Sequence, residues 1–232
     1  MKLQKETESP QNPHGRWYND ACGTAFGMEL IGERWSLLIV RELMMGGRRF
    51  SDIRASLPGI SAKVLTERLE SLEAGGVLVK RKLPPPAASQ IYELTEWGYL
   101  AEPLIQELGR WAATSVHHDP SLPLSPVSLM LSLRTMLDKE AAKKFDTTIG
   151  FEVGGESFVA ELKDGTLPIR RAEVEGAQIV FRAPAAPLLA AVFYRKIPWE
   201  DLAGEGVEAE GDARLAERFI DLFHLPEKVD AS

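Results

Sequence analysis

Between residues 34 and 115 the apolar side chains recur at helical spacing, and glycine or proline pairs interrupt them at short intervals. Arg34 to Met45 sets Trp35, Leu38, Ile39 and Leu43 on one stripe of a helix that Gly46-Gly47 ends. Ser51 suits the cap of a short helix to Leu57, stopped by Pro58-Gly59; Ser61 suits the cap of the next, which runs to Ala74 before Gly75-Gly76. There Ile60, Leu65, Leu69 and Leu72 fall on one side, while Lys63, Thr66 and Glu67 point the other way. VLVKRKL and QIYEL then read as two strands joined by a proline-rich turn, Pro84 to Ser89. Thr95 suits the cap of a last helix carrying Leu100, Leu104, Leu108 and Trp111.

The stretch His117 to Pro126, HHDPSLPLSP, breaks the pattern. Pro120, Pro123 and Pro126 push each preceding residue out of the helical region, so it reads as an extended linker. Beyond it, Ser125-Pro126 suits a helix start, and Leu129, Met130, Leu133, Met136 and Leu137 follow at helical spacing. From Asp146 the period becomes two: Ile149, Phe151 and Val153, a Gly154-Gly155 turn, then Phe158, Ala160 and Leu162. Asp164-Gly165 is a hairpin signal leading to Leu167 and Ile169, and Ile179 and Phe181 follow in AQIVFRA. Helices are expected over Pro184 to Tyr194 and Asp212 to Leu225. The fold class is therefore α+β: a helix-rich domain at 20–116, a linker at 117–126, and an antiparallel meander closed by helices at 127–232. Residues 1–19 read as a flexible arm.

Composition and charge sharpen the division. One Cys excludes an internal disulfide, and the polar start MKLQKETESPQNPHGR lacks the apolar core of a signal peptide. The longest apolar runs, Leu37 to Val40 and Leu188 to Phe193, are too short to span a bilayer, so the expected location is cytoplasmic, off the membrane. The net charge of −7 is uneven. Residues 1–115 balance 14 Lys and Arg against 14 Asp and Glu, and residues 116–232 carry 13 against 20. Within 34–83, 10 basic residues face 5 acidic ones, so a basic segment sits beside an acidic half.

Helix, short helix, tight turn, helix and two-stranded hairpin is the order of a winged helix-turn-helix. Its second helix can enter the major groove, and a basic hairpin beside it can reach phosphates. From charge alone, the bland alternative is a solvated helix face with a Lys/Arg-rich hairpin. The residue strings favour the first reading. CGTAFGMELIGERWSLLIVREL, RRFSDIRASLPGISAKVLTERLESLEAGGVLVKR, YELTEWGYLAEPL and LGRWA, running from Cys22 to Trp111, resemble the HxlR family of bacterial winged-helix transcription regulators. The resemblance implies a homodimer that binds a double-stranded DNA operator and pairs through outer helices near 20–31 and 95–114. It carries recognition roles to Ser61, Lys63, Thr66 and Arg68, phosphate contacts to Arg48, Arg49 and Ser51, and wing contacts to Lys80, Arg81 and Lys82. Arg68 lies at the edge of the outward face, so a backbone contact or a structural role is open to it. Family members often place a Cys where Cys22 stands, in some as an oxidant sensor. Its neighbours here carry no base or cation, and a packed small hydrophobe is the favoured reading, with a thiol acidified by a helix N-terminus as the alternative.

The second half resembles the sterol carrier protein type two superfamily, through the order strand, GGESF strand, DGTLPI, a strand near Phe181, LLAAVF and EGVEAEGDARLAERFIDLF. That resemblance implies an apolar pocket for a hydrophobic small-molecule effector, with Phe151, Phe158, Phe181, Leu188, Leu189, Val192, Phe193, Phe219 and Phe223 as lining; the alternative is that they fill the core. No phosphate loop, GxGxxG, CxxC or HExxH is present. His117-His118-Asp119 sits on the linker, and Glu200-Asp201 on a loop. No enzyme, metal or cofactor is expected. The leading reading is a DNA-binding transcription regulator modulated by a hydrophobic molecule; the alternative is a lipid or acyl-ligand carrier whose winged helix makes protein contacts.

Overall fold

The computed structural model describes residues 18–83 and 89–229. The expected N-terminal arm up to residue 17 and the turn residues 84–88 lie outside them. Contacts divide the chain into two units: residues up to Leu43 with Gly47–Leu100, and Met44–Gly46 with Ala101 onward.

The first unit contains helices α1 (Gly23–Ile31), α2 (Ser36–Leu43), α3 (Phe50–Ser56) and α4 (Ala62–Ala74), strands β1 (Leu78–Lys82) and β2 (Gln90–Leu94), and the short helix α5 (Glu96–Tyr99). The helix expected from Arg34 begins only at Ser36, because Trp35 adopts a left-handed conformation (φ 81°) that a helix does not accept. The core is the one its apolar periodicity implies, with Ile39, Leu43, Ile53, Leu65, Leu69 and Leu72 fully buried. The Ser61 hydroxyl caps α4 by accepting from the Val64 N–H at 3.2 Å. At the other end Gly76 (φ 73°) turns the chain out of α4, so that Leu78 can start the hairpin, paired Leu78 with Leu94 through Lys82 with Gln90.

The single helix expected after Thr95 is two. Thr95 caps α5 through the Gly98 N–H, and α6 (Glu102–Ala113) starts after a break at Leu100-Ala101. Pro103 explains the break: it has no N–H, and its ring clashes with the carbonyl four residues back, at Tyr99, where α5 ends. Helix α6 packs on α7 (Pro126–Met136) and groups with the second unit, so the boundary in contacts falls at Leu100, ahead of the proline-rich stretch that marks the boundary in composition.

In the second unit, α8 (Lys139–Ala142) leads into a five-stranded sheet of β3 (Thr147–Val153), β4 (Glu156–Leu162), β5 (Ile169–Arg171), β6 (Ile179–Ala183) and β7 (Glu208–Gly211). Helices α9 (Ala186–Arg195) and α10 (Ala213–Ile220) and the 3-10 helix Trp199–Glu205 complete it. The sheet order is β5-β4-β3-β6-β7. It departs from a plain antiparallel meander at one point: β6 lies parallel to β3, with Phe181 opposite Phe151. A parallel neighbour needs a crossover, and residues 172–178 supply it over the sheet face that the phenylalanines do not use. Gly150 makes the room. A Cβ there would stand 2.7 Å from the Val174 Cβ of the crossing segment.

On the opposite face, Phe151, Phe181, Phe193, Phe219 and Phe223 form one cluster, with ring centroids 5.0–6.4 Å apart in stacked, tilted and edge-on pairs. All five are fully buried, as are Phe158, Leu189 and Val192, whereas Leu188 is half-buried. Five of the residues expected to line an apolar pocket thus pack on one another, and Val192 lines a cavity of about 290 Å³ with Ile197, Trp199 and Ile220.

Candidate nucleic-acid interface

Helix α4 buries Leu65, Leu69 and Leu72 and presents Ser61, Lys63, Thr66 and Glu67 to solvent. Thr66 donates to the Ala62 carbonyl at 3.0 Å, and Ser61 is committed to the cap, so neither hydroxyl is loose. Lys63 is the extended group of this face: its side chain is 86% exposed and its ammonium sits 3.9 Å from Glu67. A 13-residue helix of about 20 Å, anchored by one leucine face with a small polar face outward, has the dimensions for a groove about 12 Å wide.

Two expected contacts change role. Arg48 is only 8% exposed, and its guanidinium reaches the Glu42 carboxylate at 3.2 Å; the Glu42 side chain is fully buried. Arg41 holds the same carboxylate at 2.9 Å. Arg48 also exchanges backbone hydrogen bonds with Tyr92, tying the start of α3 to the wing strand β2. It is a structural cation and not a phosphate contact, because a buried carboxylate without cations is too costly to leave inside. Arg68 turns toward Glu33, 3.3 Å away, and its Nε is buried without a hydrogen-bond partner among the described residues. Arg49 stays exposed at the N-cap of α3. Ser51 lies inside that helix, not at its cap, and donates to the Asp52 carboxylate at 2.9 Å.

The wing residues divide as well. Lys80 pairs with Glu73 of α4 at 2.9 Å and lies 5.8 Å over the Tyr92 ring; the hydrogen bond to Glu73 holds its ammonium above the ordinary lysine pKa. Arg81 pairs with Glu93 on the facing strand at 2.5 Å yet keeps 65% of its side chain exposed. Lys82 is exposed and makes no ion pair among the described residues. Lys80, Arg81 and Lys82 line a cleft of about 400 Å³ together with Gln90, a polar strand residue that no motif or charge pattern singles out. Arg54, exposed on α3, also belongs with the available cations; its charge is plain in the sequence, but its face is not.

Cys22 is exposed, which overturns the packed reading. It stands at the N-cap of α1, and the backbone N–H groups of Thr24 and then Ala25 lower its thiol pKa below the ordinary 9.0. Among the described residues no three His, Cys, Asp or Glu side chains are grouped to hold a metal ion, and no helix is long and apolar enough to cross a membrane. His117, His118 and Asp119 are exposed, and Asp119 accepts from the backbone and hydroxyl of Ser121.

A family profile described as HxlR-like helix-turn-helix matches residues 30–120. The chain is 38% identical over 94 residues to YvaP, an uncharacterized HTH-type transcriptional regulator of Bacillus subtilis, covering 40% of this chain and 85% of that protein. It is 41% identical over 83 residues to the HTH-type transcriptional regulator YodB of the same organism, covering 36% and 74%. The solved reduced form of YodB superimposes with a TM-score of 0.39 at 36% identity, over 42% of this chain and 98% of that one. By its similarity to these relatives, spanning most of their length, the chain belongs to the HxlR-like helix-turn-helix family of transcriptional regulators.

Proposed function

We propose that the chain is a homodimeric regulator that reads an operator with α4 and clamps its backbone with Arg49, Arg54 and the wing. The observation that carries this is the two-sided character of α4, leucines inward and Ser61, Lys63 and Thr66 outward, beside a hairpin whose Arg81 and Lys82 remain exposed. A homodimer is supported by apolar surface on both outer helices. Phe26 and Met28 are exposed on α1. Leu104, Leu108 and Trp111 line one side of α6, and Leu100 precedes them. In water such a stripe favours a matching surface, and a two-fold axis provides one.

The close contacts among the five buried phenylalanines support a core role for those rings over the lining of a carrier cavity. Selection of bound sequences from a random pool of duplex DNA tests the reading. The expected product is a palindrome with half-sites spaced by about one helical turn, roughly 34 Å. Recovery of no enriched sequence would exclude it.

A further inference from the structure

Helix α6 carries the apolar stripe on which the proposed dimer rests, yet its own packing lies in the C-terminal unit. Both ends of the helix are held by groups from far along the chain. At the N-terminal end, Glu102 in the first turn accepts from the Arg134 guanidinium at 2.7 Å. Arg134 stands on α7, and its other terminal nitrogen donates to the Ile169 carbonyl at the start of β5. A single, largely buried arginine thus joins α6, α7 and the sheet. At the C-terminal end, the Lys228 ammonium donates to the carbonyls of Ala113 and Ser115 at 2.9 and 3.0 Å, and the Val229 N–H donates to Thr114 at 2.8 Å. The Ala113 and Thr114 carbonyls are among those a helix leaves without an intrahelical partner at its end, where a cation is favoured. Between the two clamps the stripe Leu104, Leu108 and Trp111 is left exposed.

We propose that the C-terminal unit positions the dimerisation helix, with Arg134 and Lys228 as positioning residues, and so sets the operator affinity of a dimer whose stripe it carries. The surface extends onto that unit. Val229 and Val116 are both exposed, and Val229 is tied to Thr114 and bridged to Ser115, next to exposed Trp111. Leu100 and Ala101 are consecutive, so α6 is joined to the first unit by a single peptide bond. A ligand or modification acting on α7 or β5 has a route to DNA affinity here that needs no contact with DNA.

The inference rests on the dimeric DNA-binding reading, and its test separates the two. Full-length Arg134→Met, Arg134→Lys and Lys228→Met are compared with wild type by sedimentation for dimer dissociation and by titration onto the selected operator. Near-UV circular dichroism of the aromatic cluster monitors the fold. The expected result is a dimer dissociation constant raised about tenfold in each Met variant, the scale of a lost charge-assisted hydrogen bond, with operator affinity falling in parallel and Arg134→Lys recovering part of it. The near-UV spectrum stays native. A purely structural role would lower the melting temperature and leave dimer dissociation where it was; that outcome overturns the proposal. Should Arg134→Met not fold, Lys228→Met, on the exposed tail, decides the question alone. A wild-type chain that neither dimerises nor binds DNA refutes the function reading instead.

Discussion

Arg48 and Arg49 are neighbours in sequence with opposite assignments, and replacing each by Met separates them. Arg48 is buried against the fully buried Glu42 carboxylate, so Arg48→Met strands part of a charge in the interior. Breaking a buried pair costs about 3–5 kcal/mol, and because Arg41 still holds one carboxylate oxygen, the lower end, about 3 kcal/mol, applies. For a unit of this size about 1 kcal/mol moves the melting temperature by roughly 4–8 °C, so a drop on the order of 12–24 °C is expected for the DNA-reading unit. Arg49→Met, at an exposed position, leaves melting within a few degrees. On DNA the order reverses. Arg49, Arg54, Lys63, Arg81 and Lys82 are the available cations, which for a dimer gives a slope of log K against log salt of about −9. Removing Arg49 from both protomers makes the slope shallower by about 2, whereas Arg48→Met, assayed well below its melting point, leaves it unchanged. Scanning calorimetry and fluorescence anisotropy across a salt series read both quantities. A shallower slope with unaltered melting in Arg48→Met would refute the internal assignment.

Three other expectations follow from the structure. Phe219 touches four other rings of the cluster, so Phe219→Ala should cost about 3–5 kcal/mol in urea unfolding followed by near-UV circular dichroism; a loss below about 1 kcal/mol would mean that the rings are not close-packed. Burial pushes the Tyr194 hydroxyl, 2.6 Å from Ser132 Oγ, well above its ordinary pKa of 10.0. The folded state therefore keeps that proton while the unfolded chain gives it up, and stability falls as pH rises past about 10; Tyr194→Phe should flatten that decline, and an identical pH profile would contradict the burial argument. For Cys22, the rate of alkylation by iodoacetamide should rise with a midpoint below pH 9.0, and a midpoint at or above that value would remove the effect of the Thr24 and Ala25 amides.

Helix α4 and the β1–β2 hairpin were legible because their signals are local: a Ser cap, a leucine face at helical spacing, paired glycines, and alternation in the strands. What escaped depends on partners distant in sequence. Arg48 looks like Arg49 until Glu42 and Tyr92 are placed around it. The parallel pairing of β6 with β3 leaves no mark on either strand beyond Gly150, whose purpose appears only when Val174 crosses it. The break before α6 was readable from Pro103, but the apolar stripe at Leu100, Leu104, Leu108 and Trp111 continues across it and masks it. Periodicity also marks a phenylalanine as inward-facing without saying whether it lines a cavity or meets another ring, and here five of them meet.

The central claim, that α4 and the wing read DNA, is tested most directly by titrating wild type, Lys63→Ala and Arg81→Ala onto the selected operator and onto an unrelated duplex at one fixed salt concentration. Lys63→Ala is expected to weaken operator binding and narrow the gap between the two duplexes, since its side chain is the most extended on the α4 face. Arg81→Ala is expected to weaken both duplexes by a similar factor, as loss of a backbone contact does. Operator affinities equal to wild type in both variants would contradict the claim.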